Sequence, residues 1–87
     1  MQIFWTLSAQ LDLENIFDYI FQQNPQAAHR IYEEIQTKIG MLSDSPYEGK
    51  TSKISNTKEL VFSELPYTAI YRILQVEIQI LRLLHGA

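Results

Sequence analysis

The sequence predicts an α+β domain: one strand, two antiparallel helices, then a three-stranded antiparallel sheet, with the helix hairpin packed on one sheet face. Three observations carry this. Apolar residues recur at helical spacing from residue 9 to residue 42, broken once by Asn24-Pro25. Each helix has a single apolar stripe, so the pair needs another layer to lie on. From Lys58 onward the chain turns to aromatic and β-branched residues, divided by two short connections.

Each element has a local reason. Residues 2–7 alternate around Ile3 and Trp5 and read as a short first strand. Ser8 is placed to cap a first helix, with Asp12 and Glu14 in early turns where the helix dipole favours acids. Ala9, Leu13, Ile16, Phe17 and Ile20 form its stripe until about Gln23. Pro25 disfavours helical geometry at Asn24 and suits the first position of a second helix, which Asn24 can cap. That helix carries Ala28, Ile31, Tyr32, Ile35, Ile39 and Leu42 on one face and ends near Ser43, before the Asp44-Ser45-Pro46 turn.

Residues 47–57 are polar and read as a loop with at most one short strand turn. Residues 58–63 are strand-like, and Glu64-Leu65-Pro66 is a turn whose proline cannot donate to a ladder. Tyr67–Leu74 reads as the central strand, and Gln75-Val76 reverses the chain into Glu77–His85. Ile16, Ile20, Ile31, Ile35, Ile70 and Ile80 are expected in the core.

The 87 residues suit one domain over 1–87, and a hydrophobic share of 46% argues against disorder. With no cysteine, a disulfide framework and a thiolate metal site are excluded, which fits a reducing cytoplasm. No apolar run approaches the ~20 residues that span a bilayer, and the start lacks the basic region of a signal peptide. Two separate histidines and scattered carboxylates make no metal constellation, and Gly40, Gly49 and Gly86 form no phosphate-cradling loop. No cofactor and no metal are expected.

The net charge of −3 is uneven. Residues 1–49 hold two cations against seven acids, whereas residues 50–87 hold five cations against three acids. An acidic chain is a poor general nucleic-acid binder, so no sequence-specific binding by the chain alone is expected. One locally basic face is still open to it. Its candidates are Lys50, Lys53, Lys58, Arg72 and Arg82. Arg72 and Arg82, on neighbouring strands, either form an anion patch or pair with Glu59, Glu64 or Glu77. His85 is the side chain suited to titrate near neutral pH, or it simply closes the last strand. His29 has no partner at ligand spacing and reads as structural. Tyr67 and Tyr71 share a strand face, as core or as groove lining. Trp5 packs on the sheet or hairpin, or else anchors a partner.

The order Trp5…Ala9…Asp12-Leu13…Tyr19-Ile20, Asn24-Pro25…Ala27-Ala28, Leu42…Pro46…Gly49-Lys50, Glu59-Leu60-Val61, Pro66-Tyr67, Ile70-Tyr71-Arg72 and Leu81-Arg82…Leu84-His85-Gly86-Ala87 resembles the RelE/ParE superfamily of small bacterial toxins, in its ParE-type branch. The likeness spans nearly the whole chain.

The resemblance implies a cytoplasmic toxin of a type II toxin–antitoxin pair, with a role in plasmid stabilisation. Its partner would be a cognate antitoxin that folds over it in a higher-order complex, and its target DNA gyrase, inhibited by binding. The alternatives it leaves are a RelE-type ribosome-dependent endoribonuclease and a decayed toxin kept as an antitoxin-binding module. A ribonuclease would draw on Arg72, Arg82, His85 and Lys58, because phosphodiester cleavage needs a base, an acid and cations around the developing charge. Against it, Glu59 and Val61 stand where RelE-type enzymes carry lysines and Thr68 where they carry an arginine. The sequence also ends at Ala87, where a basic and tyrosyl tail would follow.

Overall fold

Thr6, not Ser8, caps the first helix: its hydroxyl accepts the Ala9 amide at 3.1 Å, and its backbone is extended. The strand therefore closes earlier than expected. The computed structural model describes residues 1–86, and Ala87 lies outside the described residues. The order is β1 (Gln2–Trp5), α1 (Leu7–Phe21), α2 (Pro25–Gly40), a 3-10 turn (Met41–Ser43), β2 (Lys50–Thr51), β3 (Lys58–Val61), β4 (Tyr67–Leu74) and β5 (Glu77–His85). As read from sequence, Asn24 caps α2 through its side chain and Pro25 opens it.

The sheet has five strands rather than three, in the order β1-β5-β4-β3-β2. β4 is central, as expected. β1 lies parallel to β5, Ile3 beside Ile78 and Trp5 beside Ile80, and β2 adds two residues against β3. Both additions depend on residues far apart in the chain, which local periodicity cannot register.

One face of the sheet packs on the hairpin. Leu60, Tyr67, Ala69, Tyr71, Ile78, Ile80 and Leu83 meet Ala9 and Leu13 of α1 and Ile35, Ile39 and Leu42 from α2 and the turn. Of the expected core residues, Ile35 and Ile80 are fully enclosed. Ile16 and Ile31 are only half-buried at its margin, and Ile20 is half-buried outside it. The physical reason is that the far end of the hairpin closes on itself. Phe17 packs on Phe21, His29 and Tyr32, with ring centroids 5.2–5.8 Å away. Ile70 is buried, but it is outside the core cluster and on the face that the helices leave open.

Candidate functional site

β1 runs beside only the first half of β5, Glu77 to Ile80, so the rest of that edge needs other partners. The start of α1 supplies them. Thr6 donates its amide to the Ile80 carbonyl at 3.0 Å and its hydroxyl to the Leu81 carbonyl at 2.9 Å. Asp12 accepts the Leu83 amide at 2.9 Å. The same carboxylate takes the Arg82 guanidinium in a fork, Nε–Oδ2 at 2.7 Å and Nη2–Oδ1 at 3.1 Å. A register shift between Ile70 and Tyr71 accompanies this half of β5 and leaves Leu81 without a β4 partner.

Arg82 is therefore neutralised by Asp12, an acid of the first helix rather than the cross-strand glutamates expected. Burial acts to raise the Asp12 pKa, but the hydrogen bonds from Arg82 and the Leu83 amide, with Arg82's charge, outweigh it and hold the carboxyl below its ordinary range.

Arg72 takes a different course. Its Nε donates to Gln79 Oε1 at 3.0 Å, and Gln79 donates onward to Glu77 at 3.4 Å. Arg72 pairs with Gln79 in the register, and His85 is six residues further along β5. At roughly 3.3 Å per residue the two backbones are about 20 Å apart. His85 instead packs edge-on against Tyr67, ring centroids 5.3 Å apart. Arg72, Arg82 and His85 thus do not converge.

Tyr71 and Tyr67 are core residues, with 0% and 7% exposure. Of the two roles open to them in sequence, core and groove lining, both take the first, and an enclosed ring has no free surface to offer a partner. The Tyr71 hydroxyl instead holds the loop before β2, donating to the Pro46 carbonyl at 2.8 Å and accepting the Gly49 amide at 2.9 Å. Burial pushes the Tyr71 hydroxyl pKa up against the pull of the Gly49 amide. Burial likewise raises that of Tyr67. A Cβ at Gly49 would stand 2.6 Å from the Tyr71 hydroxyl and 2.7 Å from the Glu59 carbonyl, so only glycine fits. Trp5 is half-buried and packs against the core, which uses much of the surface an anchor would need.

Lys58 is half-buried, donates to the Gly49 carbonyl at 3.3 Å and sits 5.7 Å from the centre of the Tyr47 ring. Lys58 and Arg72 line one groove of about 540 Å³ with Tyr47, Thr51 and Asn56. Lys50, opposite Glu59, and Lys53 are exposed nearby in sequence but are not part of that lining. A second groove, of about 410 Å³, runs between α2 and the β3–β4 connection and is lined by Met41, Phe62 and Leu65 together with the charged Arg30, Glu33, Glu34 and Lys38.

The family model for the ParE toxin of the type II toxin–antitoxin system parDE matches residues 3–87. The chain belongs to the ParE toxin family. Among its relatives, the protein Y4kP of Sinorhizobium fredii is 37% identical over 85 residues, covering 98% of this chain and 88% of that one. The toxin RelE2 of Caulobacter vibrioides is 34% identical over 86 residues, covering 99% and 96%. The chromosomal ParDE toxin–antitoxin system of P. aeruginosa contains a chain with the same fold, at a TM-score of 0.90 and 27% identity, over 100% of this chain and 97% of that one. This ParE-family chain is thus a type II toxin, and an antitoxin partner follows from its family.

Sequence reading missed three residues of this framework. Asp12 looked like an ordinary helix acid off the apolar stripe. Tyr47 lay in a loop with no periodicity. Gly49 carried the one usable signal, a glycine in a polar loop soon after a proline, consistent with a close backbone approach.

Proposed function

We propose that this ParE-family toxin acts by binding, with DNA gyrase as its target, and that it works in the cytoplasm. A cognate antitoxin, with a segment disordered until bound, neutralises it in a higher-order complex and so serves plasmid stabilisation. The observation that supports binding over cleavage is the dispersal of the chemistry. Arg82 is occupied by Asp12, His85 rests on Tyr67, and Arg72 is at the other end of the β4–β5 hairpin. Cleavage of a phosphodiester needs acid, base and cations around one phosphorus. The gyrase assignment rests on the ParE-type likeness. For the antitoxin, the 410 Å³ groove beside α2, lined by apolar and charged side chains together, supports a helix-in-groove or wrapped segment.

A second reading, a RelE-type endoribonuclease, draws support from Lys58 and Arg72 sharing one groove. Expression of the chain without antitoxin, with plasmid supercoiling and mRNA integrity both followed, separates the readings. Arrested supercoiling with intact mRNA is the expected result. Codon-dependent cleavage would establish the ribonuclease instead, and neither effect would identify a decayed toxin kept as an antitoxin-binding module.

A further inference from the structure

β2 pairs with β3 only at Lys58 and Glu59, so β3 runs on to Val61 with no strand outside it. The Phe62 amide donates to the Tyr67 carbonyl at 3.4 Å. Alternate residues of an antiparallel strand bond to the same neighbour, so Val61 aims its N–H and C=O away from β4. Among the described residues neither group has a hydrogen-bond partner. β1, at the opposite edge, is tied at both ends by the chain itself. The Met1 ammonium donates to the Ser43 carbonyl at 3.0 Å, and the Gln10 side chain donates to the Trp5 carbonyl at 3.1 Å. Two grooves that share Lys38 and Met41 border the bare stretch of β3. Phe62 and Ser63 line the groove of about 410 Å³, and Leu60 lines a narrower one of about 90 Å³ with Leu42, Ser45 and Glu48. Leu60 and Phe62 both face the helices and are one strand repeat apart, roughly 6.6 Å. Val61, between them, points to the other face and is 50% exposed.

This arrangement suits one kind of ligand. An added strand bonds Val61 through its main chain and sets alternate side chains, two residues apart, into the two grooves. Apolar anchors there meet Leu60 and Phe62, with Leu42 and Met41 beside them. The charges favour a basic segment. Glu33, Glu34, Glu48 and Glu64 line the grooves against Arg30 and Lys38, and Arg30 is already within 3.8 Å of Glu34. A second copy of the chain fits poorly, since a two-fold interface sets these carboxylates against their own counterparts. We propose that the bare end of β3 takes a partner's disordered segment as a sixth strand of the sheet. That segment is apolar at two alternate positions and carries arginine or lysine at its flanks. Main-chain bonds and buried side chains offset the cost of ordering it. The inference rests on the reading of the 410 Å³ groove as the antitoxin's, and makes its occupant a strand instead of a helix.

Amide NMR spectra of the whole chain, titrated with acetyl-Arg-Thr-Ile-Thr-Ile-Thr-Arg-amide, test this directly. Saturable shifts should centre on residues 60–63 and Met41, and the Val61 amide should become protected from exchange. Two further peptides carry N-methyl groups on one or the other alternate set of residues. The set that faces β3 should lose binding about five-fold or more, the usual weight of a hydrogen bond, and the other should not. Val61→Pro should weaken the unmethylated peptide by about the same factor. The N–H it removes bonds nothing in the free chain, so the fold should survive. Glutamate in place of both peptide arginines should weaken binding at low salt. Equal affinity of the two methylated peptides, wild-type affinity in Val61→Pro, or undiminished binding of the glutamate peptide overturns the proposal. Shifts at Met41 and Leu65 indifferent to all these changes would keep the groove as the antitoxin's and overturn only the strand. A groove silent to every peptide overturns the strand too, whereas the antitoxin reading fails only if antitoxin co-expression leaves growth arrested. Concentration-dependent shifts at these residues in the free chain would identify a second copy as the occupant and overturn the proposal as well.

Discussion

Asp12 of α1 and Arg82 of β5, 70 residues apart in the chain, form a two-point ion pair at 2.7 and 3.1 Å that also seals a sheet edge. The Asp12 side chain is only 16% exposed, against 51% for Arg82. The two partners are therefore unequal. Most of Asp12's value lies in satisfying the Leu83 amide, a part-buried donor with no strand beside it.

Asp12→Ala should cost about 1–3 kcal/mol, the usual penalty for orphaning a buried donor together with loss of the ion pair. Arg82→Ala should cost less, because a half-exposed pair is screened by solvent. Urea unfolding of both variants checks the order. Equal losses would place the stabilising contribution in the ion pair instead of the Leu83 hydrogen bond.

The depressed Asp12 pKa sets a direction for acid stability. A carboxyl held below its unfolded value contributes stability that is fully present above about 3.9. That contribution is lost as pH falls through the lower folded-state value. Asp12→Asn should remove this part of the pH dependence. Unfolding midpoints measured from pH 2 to 7 should thus show the variant losing less stability than wild type below about pH 4.

Gly49→Ala should destabilise the fold by about 1–3 kcal/mol, since the new methyl group meets both Tyr71 and the Glu59 backbone. Tyr71→Phe should cost a comparable amount by stranding the Gly49 amide and the Pro46 carbonyl. The double variant should be less destabilised than the sum, because removing the hydroxyl relieves the nearest clash while the Glu59 carbonyl stays. Thermal melts of the four proteins complete the cycle, and strict additivity would mean the two groups do not touch in solution.

His85→Ala should leave growth arrest by the chain essentially unchanged. The imidazole stacks edge-on with Tyr67, far along β5 from Arg72. Loss of a general acid or base usually lowers a rate by about 10²–10⁴-fold. A toxicity assay in an inducible strain, with the variant's expression level matched, distinguishes the two outcomes. Abolished arrest in a folded His85→Ala protein would restore His85 as a catalytic group.

Local chemistry determined the helices, their joint, the position of the central strand and much of the enclosed core. Stripe periodicity, the Asn24-Pro25 cap and the β-branched run from Tyr67 act between near neighbours and so are written in short windows of sequence. The same windows place Ile35 and Ile80 in the core, and the order of motifs along the chain marks the family. Tertiary structure alone decided what surrounds Asp12, Lys58, Arg72 and Arg82. Asp12 finds Arg82 only because β1 stops at Trp5 and leaves half of β5 open beside α1. Lys58 and Arg72 share a groove only because β3 ends where β4 continues. Ile70 is separated from the main core because the pleat turns it to the other face. These relationships depend on strand pairing and register between residues distant in sequence, and no local propensity encodes which distant partner a side chain will meet.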